Sequence, residues 1–478
     1  MAEGTAGPRL ADGLLCGLGA LLVYLLLAQQ SFYHTDGIFI VKRLLAGDEL
    51  HNNHFLYMPL LMALHWATRP LGLAAHDAAL LFSALGVAAA VVLAHATCRS
   101  LGTTRARAVW VAATFACCGP VLFFATVIEF HGPFLAFAQL AFWADVRFAH
   151  RPNPTRLLFV AVAGALAFTA HTSALLLPAL LAPWFVAQRV AAGRSAAVGW
   201  AAAAIVGHLV AVFLTLRLLL AIGFPEFPPS YDRRRLGEMS LATLAHLPRL
   251  AWDEWWWPLL PASLAMPAAL FARGTRGRGL ALACGVGAFL ALCLTLLVDP
   301  PRPERGAYLL PMAFAAVLLI LELAPAVPVF VLTAVLGVNG VVEHDCKGPT
   351  YDAFAAGFRE AVPDADPVLW IADEHELATC MTRLPEVEYL LLSELASQPL
   401  AVVTPQLPAL AAVVADFERR GRAVYVTERA ERYLSDPAEQ RWGALLPSGP
   451  ALVQALRTQF RRTPVESGGF RAYRLQRR

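Results

Sequence analysis

The sequence predicts an α-helical polytopic membrane protein of about eleven transmembrane helices, with a small C-terminal α/β domain outside the cytoplasm. Three observations carry that reading. The 478 residues are 58% apolar and 15% charged, with mean hydropathy +0.56, whereas soluble domains carry about 25% charged residues. Apolar runs of roughly the twenty residues needed to cross a bilayer recur through the first two thirds of the chain. From Glu343 the composition turns polar, with acids, arginines and short β-prone runs. The chain therefore divides into a membrane module, 1–342, and a soluble domain, 343–478. A formal charge of +3, with no basic tract and no nucleic-acid motif, excludes a DNA- or RNA-binding role.

The expected spans lie near 13–29, 77–97, 108–127, 132–148, 156–171, 173–188, 197–221, 255–272, 279–298, 306–323 and 325–342. The first lacks a small-residue cleavage site before polar sequence and is read as a retained span. Residues 55–73 are also apolar but are interrupted by Pro59, His65 and Pro70. They read as a helix along the interface or dipping back into the bundle. Six of the eight cysteines sit in or beside apolar runs, where they act as small hydrophobes. A disulfide between Cys346 and Cys380 requires the tail to lie outside the cytoplasm.

Arginine placement orients the bundle, since 36 of the 38 basic residues are arginine and only Lys42 and Lys347 are lysine. The turns bearing Arg99, Arg105 and Arg107, then Arg147, Arg151 and Arg156, then Arg189 and Arg194, then Arg273, Arg276 and Arg278 fall on one side. The turns near Glu129 and His171 carry no Lys or Arg. Positive-inside puts the first loop, Glu129, His171 and Arg305 on the outer face of the cell's inner (plasma) membrane. Lys42, Arg43 and Arg233–Arg235 are exceptions, placed to meet anionic head groups or a lipid-linked phosphate. Trp252, Trp255, Trp256 and Trp257 suit the headgroup layer.

In the tail, Val368–Ala372, Leu400–Thr404, Ala423–Thr427 and Phe470–Leu475 read as strands, and Leu407–Arg420 as a helix ended by Gly421. Strand, helix and strand at that spacing predict a parallel unit. No P-loop, G-x-G-x-x-G or internal repeat is present.

Three outer-face groups bear chemistry. Asp36 lies close in sequence to His34, His54 and Tyr57; Glu129 and His131 share the short turn VIEFHGPF; Arg305 and Tyr308 lie in RPERGAYLLP. Ionisable groups at membrane depth are costly and face cavities or partners. Bland readings stand beside these: an interfacial acid for Asp36, a span-capping cation for Arg305 and, where the fifth and sixth spans meet, a polar pair between helices for His171. Arg217, near the outer end of its span, either meets phosphate or snorkels to the interface. His54 and His131 alone are two nitrogen ligands without a third, which is weak evidence for a metal.

These residues resemble the C-type (GT-C) integral-membrane glycosyltransferases, the group that includes protein O-mannosyltransferases and lipid A aminoarabinose transferases. The similarity rests on Asp36 in YHTDG after the first span, HFLYMPLL closing the first loop, and Glu129 after the third span. AFTAHTSALLLPALL, Ala167–Leu181, and ERGAYLLP add to it. It covers about residues 10–320. The second turn departs from the family's paired acids, because Phe130 and His131 follow Glu129; a divalent cation is left open. The resemblance implies a polyprenyl-phosphate sugar donor, an acceptor glycan, lipid or protein, and inversion at the anomeric carbon. In that chemistry Asp36 is the base, Glu129 a second catalytic acid, and Arg305 and Arg217 phosphate ligands; His34, His54, Tyr57, His131, His171 and Tyr308 contact substrate. A flippase of lipid-linked sugars, or a scaffold with an outer binding domain, are the alternatives. The one-sided acids count against the flippase.

Overall fold

The computed structural model describes residues 7–29, 35–47, 54–171, 174, 177, 197–222, 257, 307, 310–344, 349–372, 374–384, 386–436 and 446–478. Apart from isolated positions, the expected spans near 173–188, 255–272 and 279–298 lie outside them, as do His34, Arg305 and Tyr308. The chain divides into two compact units. Met1–Ala28 and Phe39–His344 form the first; Gln29–Ile38 and Asp345–Arg478 form the second.

The first unit is helical. Its elements are α1 (Gly7–Leu26), α2 (Thr35–Ala46, whose start belongs to the second unit), α3 (Tyr57–Thr68), α4 (Ala75–Ser100), α5 (Arg105–Cys117), α6 (Gly119–Thr126), α7 (His131–His150), α8 (Pro154–Ala170), α9 (Ala197–Ala221), α10 (Leu310–Leu323) and α11 (Ala326–His344). Among the described residues, Ala75–Ser100 and Ala202–Ala221 are long and apolar enough to cross a membrane, and up to four spans count if each bent helix pair is one. Shorter apolar helices are Ala11–Leu26, Pro154–Ala170, Leu310–Leu323 and Ala326–Val342.

Local chemistry sets the ends of these helices. Thr104 caps α5 by accepting the Arg107 N–H (3.4 Å), and Asn153 caps α8 by accepting the Arg156 N–H (2.8 Å) ahead of Pro154. The expected span 108–127 is not straight, for α5 and α6 meet at a 60° bend. Cys118 leaves helical geometry (ψ 131°) and Pro120 restarts the chain in the first turn of α6. Within 55–73 the helix is shorter than expected and closes in a 3₁₀ turn at Arg69–Leu71.

Close backbone approach organises the bundle, as expected where helices meet through small residues. A Cβ on Gly86 of α4 would stand 2.6 Å from the Pro133 Cα of α7; one on Gly132 would stand 2.9 Å from the Phe124 carbonyl and 3.0 Å from that of Ser83. Further along the same pair, Gln139 donates to Thr97 (3.3 Å) and the Trp143 indole donates to Ser100 (3.2 Å). These contacts run in the same order on both helices, so α4 and α7 are parallel. α8 returns antiparallel, with Phe159 against Trp143 and His171 against Phe134. The arginine-bearing ends of α4, α7 and α8 thus lie together, with Arg156 donating to the Arg147 carbonyl. The turn holding Glu129 and the end of α8 at His171 lie at the other end. Val206, Leu209, Val210, Phe213, Leu214 and Leu218 of α9 are exposed, an apolar stripe suited to lipid.

The second unit holds α12 (Pro349–Ala361), β1 (Val368–Ile371), α13 (Glu374–Arg383), β2 (Glu388–Leu391), α14 (Leu392–Ala396), α15 (Leu400–Val403), α16 (Ala409–Arg419), β3 (Val424–Thr427), α17 (Glu428–Ser435), α18 (Gly449–Gln459), β4 (Phe460–Ser467) and β5 (Phe470–Arg477). The sheet order is β2-β1-β3-β5-β4. β1 pairs parallel with β2 and β3, while β5 pairs antiparallel with β3 and β4. β1 and β3 are buried throughout, as central parallel strands are, over a core of Trp370, Val424, Val426, Leu456 and Phe460.

Leu400–Thr404 is a correction. It is a short helix and not a strand: it lies between Pro399 and Pro405, which cannot extend a ladder, and the Val403 N–H bonds back to the Pro399 carbonyl (3.2 Å). The strand beside β1 is Glu388–Leu391, whose alternating burial marks an edge. β4, FRRTPVES, is also an edge, where Pro464 costs no central ladder bond.

Candidate active site

The helix ends opposite the arginines gather four stretches of chain. Leu56 donates its N–H to the Thr169 carbonyl (2.9 Å), which draws the start of α3 onto the end of α8. His54 then reaches the Ala170 carbonyl through Nδ1 (3.2 Å). A carbonyl only accepts, so Nδ1 carries the proton and Nε2 is the basic nitrogen of the neutral ring. The α6–α7 turn brings Glu129, Phe130 and His131 to the same place; Ser83 of α4 donates to the Glu129 carbonyl (3.5 Å).

The rings pack face to face and edge to face. His54 stacks on Phe130 with centroids 3.7 Å apart and planes 12° from parallel. His171 lies 4.6 Å from His54 and 4.9 Å from His131. Tyr57 meets Phe130 edge-on at 4.6 Å. Each imidazole also has a phenyl neighbour: Phe130 for His54, Phe124 for His131 (4.9 Å), and Phe134 for His171 (5.0 Å). Phenyl faces stabilise an imidazolium as well as a neutral ring.

Glu129 is 3% exposed and its Oε2 accepts the Phe130 N–H at 3.1 Å. Burial and, after it, the Glu129 carboxylate hold the Tyr57 phenol well above its ordinary value, so Tyr57 keeps its proton. The arrangement is a largely buried cluster of one carboxylate, three imidazoles and one phenol, groups able to accept and donate protons. Among the described residues no group of three His, Cys, Asp or Glu side chains is placed to hold a metal ion.

Of the residues singled out in the sequence, the structure brings His54, Tyr57, Glu129, His131 and His171 together. Asp36 occupies the first turn of α2, is exposed, and belongs to the second unit. Arg217 is exposed on α9. Trp200 near the start of that helix meets Phe148 near the arginine end, and His208 packs on Gly164. Arg217 lies nine residues beyond His208, toward the His171 end. Cys380 is buried, and Cys346 lies outside the described residues. Sequence reasoning missed the phenyl partners. Their signal was present in EFHGPF, where Phe130 and Phe134 are one helical turn apart and flank His131.

No family model matches the chain, and no curated protein matches it in sequence. Solved structures match its fold. ArnT from Cupriavidus metallidurans in the apo state aligns with TM-score 0.54 at 13% identity, over 96% of this chain and 97% of that one. ArnT bound to undecaprenyl phosphate aligns equally well, at 12% identity over the same shares of the two chains. The apo oligosaccharyltransferase of Archaeoglobus fulgidus aligns with TM-score 0.51 at 11% identity, over 98% of this chain and 75% of that one. The chain carries the fold of these proteins.

Proposed function

We propose that the protein is an integral-membrane glycosyltransferase of about eleven spans. It moves a sugar from a polyprenyl-phosphate donor to an acceptor glycan, lipid or protein on the outer face of the inner membrane, with the C-terminal domain on that side. The observation that carries the reading is the gathering of Glu129, His54, His131, His171 and Tyr57 at one end of a bundle with the GT-C fold. A buried carboxylate beside three imidazoles at a membrane-helix end is expensive, and it is explained by a polar substrate that enters there.

In the proposed step Asp36 takes the proton of an acceptor hydroxyl. The acceptor oxygen bonds to the anomeric carbon as the bond from that carbon to the phosphate oxygen breaks, and the electron pair leaves with the polyprenyl phosphate. One in-line displacement inverts the anomeric centre. Arg305 and Arg217 offset the charge that develops on the leaving phosphate, and Tyr308, His34 and the imidazole group hold the sugar and acceptor.

Asp36→Asn in the reconstituted protein, supplied with a polyprenyl-phosphate sugar, tests this. General-base help is worth roughly 10²–10⁴-fold, and transfer should fall by that much at normal expression. Undiminished transfer by the variant removes Asp36 from the mechanism. Translocation of the lipid without sugar release by the unaltered protein overturns the transferase reading.

A further inference from the structure

The second unit holds a concentration of cations that the proposed reaction does not use. Between Arg457 and Arg478 the sequence carries seven arginines and one carboxylate, Glu466. At the turn of the β4–β5 hairpin that acid is taken by Arg471 (2.8 Å). Arg474 goes to Asp364 (3.4 Å). The other five arginines are at the far end of the hairpin, where α18 enters β4 and β5 ends.

Backbone register and hydrogen bonds bring those five together. Phe460 pairs with Arg477 and Arg461 with Gln476 across the two strands. Arg478 donates to the Phe460 carbonyl and to the Arg457 carbonyl, each at 3.2 Å, which lays its guanidinium over the same corner. The carboxylate shared there is Glu431, 4% exposed, which forms an ion pair with Arg462 (2.7 Å) and accepts a hydrogen bond from Arg457 (3.4 Å). Arg462 also stacks on Tyr473 with its guanidinium carbon 3.7 Å from the ring centroid. Arg461, Arg477 and Arg478 are exposed, and no acidic partner is found for them among the described residues. β4 is the last strand of the sheet, so the corner lies on an open edge.

We infer that this arginine corner is an interaction surface for anionic lipid head groups. Isolated edge-strand charges serve to block strand pairing, but that purpose needs no cluster at one strand end over a buried acid, Glu431. The chain's own membrane helices tether the domain to a bilayer, so a lipid surface is always at high effective concentration. Guanidinium forks match phosphate geometry, and each arginine near an anionic surface contributes about a fivefold preference. The inference does not depend on the sugar-transfer reading.

The test uses the full chain in lipid nanodiscs of phosphatidylcholine alone and of phosphatidylcholine with roughly one third phosphatidylglycerol. Hydrogen exchange is followed in peptides covering 457–478. Exchange at the start of β4 and the end of β5 should slow at least about threefold in the anionic discs. The difference should disappear in about 1 M salt, where the screening length is about 3 Å. It should also disappear in the triple variant Arg461→Gln, Arg477→Gln, Arg478→Gln, whose melting temperature shows that it is folded. Equal exchange in both discs overturns the inference, as does anionic-lipid protection that survives the triple substitution. Protection by a soluble acidic oligosaccharide but not by phosphatidylglycerol would assign the corner to an acidic glycan instead.

Discussion

Gly86→Ala is the sharpest test of how the bundle presents its polar end. The new methyl carbon would lie 2.6 Å from the Pro133 Cα and 2.7 Å from its nitrogen. Ordinary carbon–carbon contact needs about 3.5 Å, so α4 and the start of α7 must part by roughly 0.9 Å. Both obstructing atoms are backbone in a proline, and no rotamer change relieves them. Overpacking of this kind costs about 1–3 kcal/mol. The displaced segment begins two residues after His131 and four after Glu129, and a misplacement near 1 Å can cost about 10²-fold in rate. Melting of the purified protein in detergent, together with transfer from a polyprenyl-phosphate sugar, reads both effects. Gly19→Ala is the control: nothing lies within 4 Å of its added carbon, and it should be neutral or stabilise by up to about 1 kcal/mol. If Gly86→Ala melts and transfers like the unaltered protein, the contact between α4 and α7 does not position the site.

Two further outcomes follow from particular side chains. Glu129→Gln keeps an acceptor for the Phe130 N–H but removes the charge beside the imidazoles, so transfer should drop about 10²-fold or more with little change in melting; an equal rate would reduce Glu129 to a turn former. In the C-terminal domain, burial first, and then the hydrogen bond to Asp364, raise the Tyr425 phenol above its ordinary value. The stability it contributes is therefore in place below about pH 10, the ordinary phenol value, and is lost as pH climbs through the raised folded value. Tyr425→Phe should cost about 1.5 kcal/mol at neutral pH and should flatten the alkaline fall in melting temperature; an unchanged alkaline slope would refute the assignment.

Much of this architecture was legible in the residues, and the misses have identifiable causes. The apolar runs announced α4 and α9 because nothing in them competes with a helix of span length. The run 108–127 looked equally continuous, yet a Gly-Pro pair after Cys118 broke it; hydropathy averages over such a pair and does not register backbone geometry. In the tail, Leu400–Thr404 has the β-branched composition of a strand but sits between prolines, and turn chemistry overruled propensity. β2 and β4 escaped notice because edge strands carry glutamate, arginine and proline where central strands carry valine. At the site, the polar members could be named from their cost in an apolar chain. Their mutual arrangement could not, since it depends on α4 and α7 lying parallel, and that contact is made by glycines that carry no chemical signal of their own.

The grouping of Gln29–Ile38 with the C-terminal domain changes what a truncation would report. The decapeptide includes Asp36, so the start of α2 groups with residues more than three hundred positions away. Cutting the chain after His344 would take away the rest of the unit to which the start of α2 belongs, as well as removing a soluble module. A shortened protein that fails to transfer sugar would thus be silent about acceptor recognition until the conformation around Asp36 had been checked independently.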